Sequence, residues 1–219
     1  MANRSNYYPR TLRLQSWEVQ KVVREIKKLP EDKLDIELIN VLGRSYMNLG
    51  DYENALDTYL SFIGKAKEDV KDVDIWLYSE CGWLCNEVGD YEQGLKYLLE
   101  AEKLGRDDEW VWARVANIYF DLERYEEALK AYTRAYELEG SYKEGKDSLY
   151  ICSIGRTLRR LGRYEEAVEK LLESRRLSLE EGDGVDLEDI ELAHCYAVLG
   201  DKEKAEEHMQ LAINALGAY

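Results

Sequence analysis

Cys81 and Cys85, four residues apart, form the first pair whose types and spacing could do chemistry. On a helix, positions i and i+4 share a face. Two thiols placed so could hold a metal or cycle as a redox couple. A closed zinc site wants four ligands, however, and neither thiol has a further Cys or His nearby in the sequence. His194 and Cys195 are the second pair, with the types of a thiol nucleophile and its base. Neighbours on a helix point about 100° apart, so this ring would not face this thiol. No phosphate-binding glycine loop, H-E-x-x-H or G-x-S-x-G run occurs. The expectation is therefore no enzyme, no metal and no cofactor. The thiols are read as small apolar core groups, and the abundant carboxylates as solvated helix faces.

The elements that carry these residues are legible from a repeat. Four segments read alike: LGRSYMNLGDYENALDTYL, CGWLCNEVGDYEQGLKYLL, VANIYFDLERYEEALKAYT and IGRTLRRLGRYEEAVEKLL. A fifth, LAHCYAVLGDKEKAEEHMQ, is weaker. Their turn positions are Gly50, Gly89, Glu123, Gly162 and Gly200, whose numbers differ successively by 39, 34, 39 and 38. Each segment has an apolar anchor in its first half: Leu42, Cys81, Val115, Ile154 and Leu192. A small residue follows each (Gly43, Gly82, Ala116, Gly155, Ala193), as a close helix crossing requires. In the second half the small residue is Ala55, Gly94, Ala128, Ala167 or Ala205. Four positions on come Tyr59, Leu98, Tyr132, Leu171 and Met209, read as core. Tyr52, Tyr91, Tyr125 and Tyr164 are read as packing over the turn, with Lys202 in their place at the end.

This pattern resembles the tetratricopeptide repeat (TPR) family over residues 36–219, with units starting near 36, 75, 109, 148 and 186. DIWLYSECGWLCNEVGDYEQGLKYLLEAEKLGRDD in particular is similar to bacterial members. The resemblance implies an all-α solenoid of about five antiparallel helix pairs in a right-handed superhelix. Two departures stand out: no unit keeps the family's proline after its second helix, and three spacings carry four or five residues beyond the family's 34. The extra residues fall in KAKEDVKDVD, ELEGSYKEGKD and LSLEEGDGVDLE, read as longer second helices plus solvated loops. Residues 1–35 stand apart. SWEVQKVVREIKKL has the helical period before Pro30 and is read as a capping helix, or the second helix of a half repeat, behind an extended arm over residues 1–15.

The resemblance also implies where a ligand would lie, along the first helices of the pairs on their concave side. In this register the groove takes Arg44, then Trp76 and Trp83, then Trp110, Arg114 and Asn117, then Arg156 and Arg160, and last His194. Asn40, Ser79, Glu80, Asn86, Phe120 and Arg159 fall on the same face. The Lys and Asn of chaperone-tail carboxylate clamps are not reproduced, since Asn40 and Arg44 occupy those places. Trp and Arg are the types that dominate binding hot spots. The partner implied is a protein or peptide segment, acidic where it meets the arginines.

The net charge of −15 argues against nucleic acid and anionic membrane as partners, and no apolar run is long enough to span a bilayer. The start, MANRSNYYPR, has no apolar signal core, which points to the cytoplasm. Two alternatives to the groove remain open. One is self-assembly through the last helix, whose Ala205, Met209, Ala212, Ile213 and Leu216 form an apolar stripe with no repeat after it. The other is a peptide-responsive bacterial regulator, for which the sequence shows no helix-turn-helix.

Overall fold

The computed structural model describes residues 16–69, 75–105, 108–142, 148–182 and 186–216. The arm over residues 1–15 and much of the inserted loops lie outside them. Among the described residues there are eleven α-helices and no strand. They are α1 (Ser16–Ile26), α2 (Ile36–Asn48), α3 (Tyr52–Asp69), α4 (Ile75–Glu87), α5 (Tyr91–Lys103), α6 (Glu109–Asp121), α7 (Tyr125–Tyr142), α8 (Ser148–Arg160), α9 (Tyr164–Glu181), α10 (Asp186–Leu199) and α11 (Lys202–Leu216). The first helices of the five pairs begin at 36, 75, 109, 148 and 186, where the repeat register puts them.

Each pair is joined by the same short turn. The residue after the turn position returns its N–H to a carbonyl five residues back: Asp51 to Tyr46, Asp90 to Cys85, Arg124 to Tyr119, Arg163 to Leu158 and Asp201 to Tyr196. Such a turn needs a left-handed residue. Gly50, Gly89, Gly162 and Gly200 supply it at φ values of 72°, 82°, 75° and 85°. Glu123 adopts it at a φ of 58°, without glycine's freedom. The second helix is then started in one of two ways. Asp51, Asp90 and Asp201 accept the N–H of the residue three on, as N-caps do. Where Arg124 and Arg163 replace aspartate, each instead pairs with a glutamate three on, Glu127 at 2.8 Å and Glu166 at 2.6 Å.

The inserted residues lengthen the second helices, as expected. α3, α7 and α9 have 18 residues, whereas α5, in the unit with the family's spacing, has 13. Residues 70–74, 143–147 and 183–185 of these insertions lie outside the described set.

The chain forms two compact units, Met1–Tyr97 and Leu98–Tyr219, with the boundary inside α5. In the first, α1 packs on α2, α2 on α3 and α3 on α4. In the second, α6 to α11 each pack on the next helix, and α8 also meets α10. The small residues sit at the crossings as expected. A Cβ on Gly155 would lie 2.8 Å from Cγ of Leu171 and 3.3 Å from its backbone nitrogen. The anchors Leu42, Cys81, Val115, Ile154 and Leu192 are buried, as are Tyr59, Leu98, Tyr132 and Leu171.

Met209 breaks the series. It is 50% exposed, while Leu171 in the same register is fully buried. The reason lies in its neighbours. Leu171 has α10 beyond it, and Met209 has no further pair beyond it among the described residues. The residue that α11 buries instead is His208, turned back toward α10.

Candidate functional site

The expected row draws on both units, and none of its nine residues is buried. In the first unit Arg44 on α2 and Trp76 and Trp83 on α4 are half-buried. The tryptophans are held by tyrosines of α3. The Trp83 ring meets Tyr52 edge-on at 5.7 Å, and Trp76 meets Tyr59 at 5.9 Å. Part of each indole therefore packs between successive repeats. Two residues of the same face correct the sequence reading. Ser79 and Glu80 are buried, because α4 is enclosed on nearly every side from Leu77 to Gly82.

The sequence reading missed what Asn40 and Asn86 do. Both are half-buried, and the Oδ1 of each is shielded from solvent and accepts no hydrogen bond among the described residues. A buried acceptor without a donor costs about 1–3 kcal/mol.

In the second unit, Trp110 and Asn117 on α6 are exposed and Arg114 is half-buried. Asn117 Oδ1 accepts from the Tyr132 hydroxyl at 2.5 Å. Burial pushes the Tyr132 hydroxyl pKa up to about 12, so it stays a donor at neutral pH. Phe120 of α6 lies beneath two cations of α8, with Arg156 at 5.4 Å and Arg160 at 5.8 Å from its ring centre. Both are within the reach of a cation–π contact. Arg160 also lies 6.0 Å from the Tyr125 ring. The two arginines differ in their anions. Arg156 is 3.4 Å from Glu191, which also binds Arg159, whereas Arg160 has no ion pair among the described residues. His194 on α10 is exposed, with the Tyr164 ring 6.5 Å away. The tyrosines that open the second helices thus reach residues of the row (Trp83, Arg160, His194) rather than only capping their turns. Their recurrence two residues after the turn position was the available signal.

Behind this face lies a polar cluster that residue types alone did not disclose. Glu188, Asp189 and Glu191 of α10 are buried, which corrects the reading of the carboxylates as solvated. Glu188 accepts from Ser174 at 2.7 Å and Ser178 at 3.2 Å. Asp189 accepts from Arg175 Nε at 2.8 Å and lies 2.6 Å from His208 Nδ1. The His208 ring stacks on Tyr196 at 5.5 Å. Three helices thus converge on α10 through its acids.

The four cysteines are buried. Burial pushes Cys81 well above the usual thiol range, Cys85 and Cys195 to about 11, and Cys152 to about 12. They stay protonated near neutrality and act as packing. His194 points out while Cys195 is fully buried, so the adjacent pair is not brought together. Among the described residues no group of three or more His, Cys, Asp or Glu is placed to hold a metal ion. No helix among them is long and apolar enough to cross a membrane.

Two family models, each described as tetratricopeptide repeat, match residues 107–180 and 38–73, together about half of the chain. The chain is a TPR protein. Over 130 residues, 59% of this TPR chain, it is 29% identical to the peroxisomal targeting signal receptor of Eremothecium gossypii. It spans only 21% of that receptor's length. Among solved structures, BtubC from P. vanneervenii superposes with a TM-score of 0.75 at 18% identity, covering 93% of this chain and 90% of that one. MamA superposes at 0.66 and 16% identity, covering 84% and 96%. At these identities the likeness shows the fold alone, an all-α TPR solenoid.

Proposed function

We propose that this protein is a non-catalytic scaffold that holds a peptide segment of a partner against the first helices of the pairs within a compact unit. The observation that carries the reading is the pair of shielded, donorless amide oxygens on Asn40 and Asn86, set on the face with Trp76 and Trp83. The half-buried amide side chains would turn outward for a peptide's main-chain N–H groups to satisfy them, and the indoles would supply apolar area. In the second unit Arg160 is the residue for an acidic side chain. Its planar guanidinium is held over Phe120 and Tyr125 and has no ion pair among the described residues. Arg156 and Arg159 share Glu191 and are the poorer choice. A regulator that responds to a peptide would use the same face. The cytoplasmic assignment stays with the sequence expectation.

The test is selection of a randomised peptide library on the full chain, followed by titration of the selected peptides by fluorescence polarisation. Affinities on the order of micromolar are expected. Asn86→Leu should weaken binding by about tenfold while leaving stability equal or higher, because it removes an unsatisfied acceptor. Arg160→Ala should weaken only peptides that carry an acid, and less so in high salt. Selected peptides that bind both variants as tightly as the parent would defeat the reading.

A second reading, self-assembly through the last helix, is favoured by the exposure of Met209 where Leu171 is buried.

A further inference from the structure

α8 concentrates positive charge in a way that its counterparts in the second unit do not. Arg156, Arg159 and Arg160 stand at places where α6 and α10 have no arginine. Among the described residues, Glu191 is the only carboxylate in ion-pair reach of the three. Three cations therefore share one anion, in a chain whose net charge is −15. Arg159 is the most enclosed, with its side chain 17% exposed against Glu191. Arg156 approaches Glu191 at 3.4 Å through Nε, and its Nη groups donate no hydrogen bond among the described residues. Arg160 has no ion pair among them.

Arg156 and Arg160 also lie over one ring. The centre of Phe120 is 5.4 Å from the first and 5.8 Å from the second, and the Tyr125 ring is 6.0 Å from Arg160. Residues four apart on a helix are neighbours, so the rings hold both guanidiniums on one side of α8 without neutralising either. Asn117, one turn before Phe120 on α6, is aimed by its own hydrogen bond. Its Oδ1 accepts from the Tyr132 hydroxyl at 2.5 Å, and burial keeps that hydroxyl protonated. An amide whose oxygen is engaged presents its NH2 on the other side, and Asn117 is exposed. Arg156 is near enough to the same hydroxyl for its charge to oppose the rise in the Tyr132 pKa. Two guanidiniums and one oriented amide donor thus border a patch with Phe120 as its floor. Asp121, beside Phe120 in the chain, is exposed, and solvent screens its charge.

Resting on the peptide-holding reading above, we propose that this patch receives a phosphorylated side chain of the partner segment, with Arg156, Arg160 and the Asn117 amide around the phosphate. Charge decides between phosphate and carboxylate. One carboxylate would balance Arg160 and leave Arg156 and Arg159 to divide Glu191. A phosphomonoester carries about −1.5 to −2 and matches the two positive charges left over. Geometry favours the same choice. A carboxylate takes two parallel bonds from one planar guanidinium, whereas the three acceptor oxygens of a phosphate can take donors from α6 and α8 together. The net charge of −15 disfavours nucleic acid and anionic bilayers as the phosphate's source, so the carrier is a peptide.

The test selects on the full chain from four peptide libraries whose central residue is phosphoserine, phosphotyrosine, glutamate or serine, and titrates the selected peptides by fluorescence polarisation. Phosphorylated peptides should bind at least about tenfold more tightly than their glutamate versions, the factor that one added charge-assisted hydrogen bond supplies. Asn117→Asp keeps the oxygen that Tyr132 binds and puts negative charge where the NH2 stood. It should abolish the preference with helix content and Tm unchanged. Arg160→Ala should abolish it too. Arg176→Ala, which removes an exposed arginine of α9 paired with Glu180, should leave it intact. Glutamate peptides that bind as tightly as phosphorylated ones overturn the phosphate assignment and leave the peptide reading standing. A preference that survives both Asn117→Asp and Arg160→Ala, or that falls equally with Arg176→Ala, overturns the assignment to this patch. Phosphoinositide vesicles that bind where the phosphopeptides do not would overturn it in favour of a lipid. No binder from any of the four libraries defeats this inference and the peptide reading together.

Discussion

Gly155→Ala is the sharpest test of how the helix pairs are built. The added Cβ would sit 2.8 Å from Leu171 Cγ and 3.0 Å from Cδ2, with the Leu171 backbone nitrogen at 3.3 Å. Leu171 is fully buried against α10. It has no free rotamer to retreat into, and the backbone of α9 can yield only by moving the helix. Overpacking of this kind costs about 1–3 kcal/mol, here toward the upper figure. Against it stands the gain of Ala over Gly in a helix, about 1 kcal/mol. The net loss should be about 1–2 kcal/mol. Gly64→Ala in α3 is the matched control, because nothing lies within 4 Å of its Cβ. There the propensity gain is unopposed and stability should rise by about 0.5–1 kcal/mol. The same chemical change should thus move urea midpoints in opposite directions, or Tm by about 2–4 °C per kcal/mol. Circular dichroism follows both. If Gly155→Ala stabilises the protein as Gly64→Ala does, then α8 and α9 do not approach as described. At Gly43, whose Cβ would clash with the Cζ, Cε1 and hydroxyl of Tyr59, the loss should be larger still.

Asp189→Ala strands Arg175 and His208 beside a buried gap, and should cost about 3–5 kcal/mol in thermal melts. An effect below about 1 kcal/mol would mean that the cluster is solvated. Glu123 alone among the five turn residues holds the left-handed conformation without glycine's freedom. Glu123→Gly should raise stability by about 1 kcal/mol; an unchanged urea midpoint would count against strain there. The native thiols should resist Ellman's reagent at about pH 8, where the unfolded chain reacts at once. Cys85 and Cys195, raised to about 11 by burial, should stay slow even one unit higher.

The helix pairs were legible because five copies of one pattern constrain each other: a small residue at 43, 82, 116, 155 and 193 has a single geometric meaning. The lengthened α3, α7 and α9 could be read from spacing alone. Three features could not. The acids of α10 look like surface residues until Arg175, Ser174, Ser178 and His208 are brought to them from other helices, and only packing does that. Ala212 reads as part of one uncovered stripe with Met209, yet it is buried and Met209 is not. The donorless oxygens of Asn40 and Asn86 are invisible in residue type, since asparagine finds a partner in most settings. The chemistry of the candidate residues was not legible either: Arg156 is committed to Glu191, while Arg160 has no ion pair among the described residues.

The acids of α10 also limit what gene rearrangement can do to this array. Repeat proteins grow and shrink by duplicating or excising whole units, which works when junctions are interchangeable. Excision of the α8–α9 pair would bring α10 onto α6 and α7. Glu188 would then face Ala135 and Glu139 where Ser174 and Ser178 now donate to it, and Asp189 would face Tyr136 in place of Arg175. Glu191 would face Asn117 and Phe120 in place of two arginines. Glu188 and Glu191 would lose the groups that now satisfy them and Asp189 would keep only His208, so such a product should be strongly destabilised. Loss of the fourth pair alone should therefore be far more costly than loss of a pair whose neighbours share no buried acids.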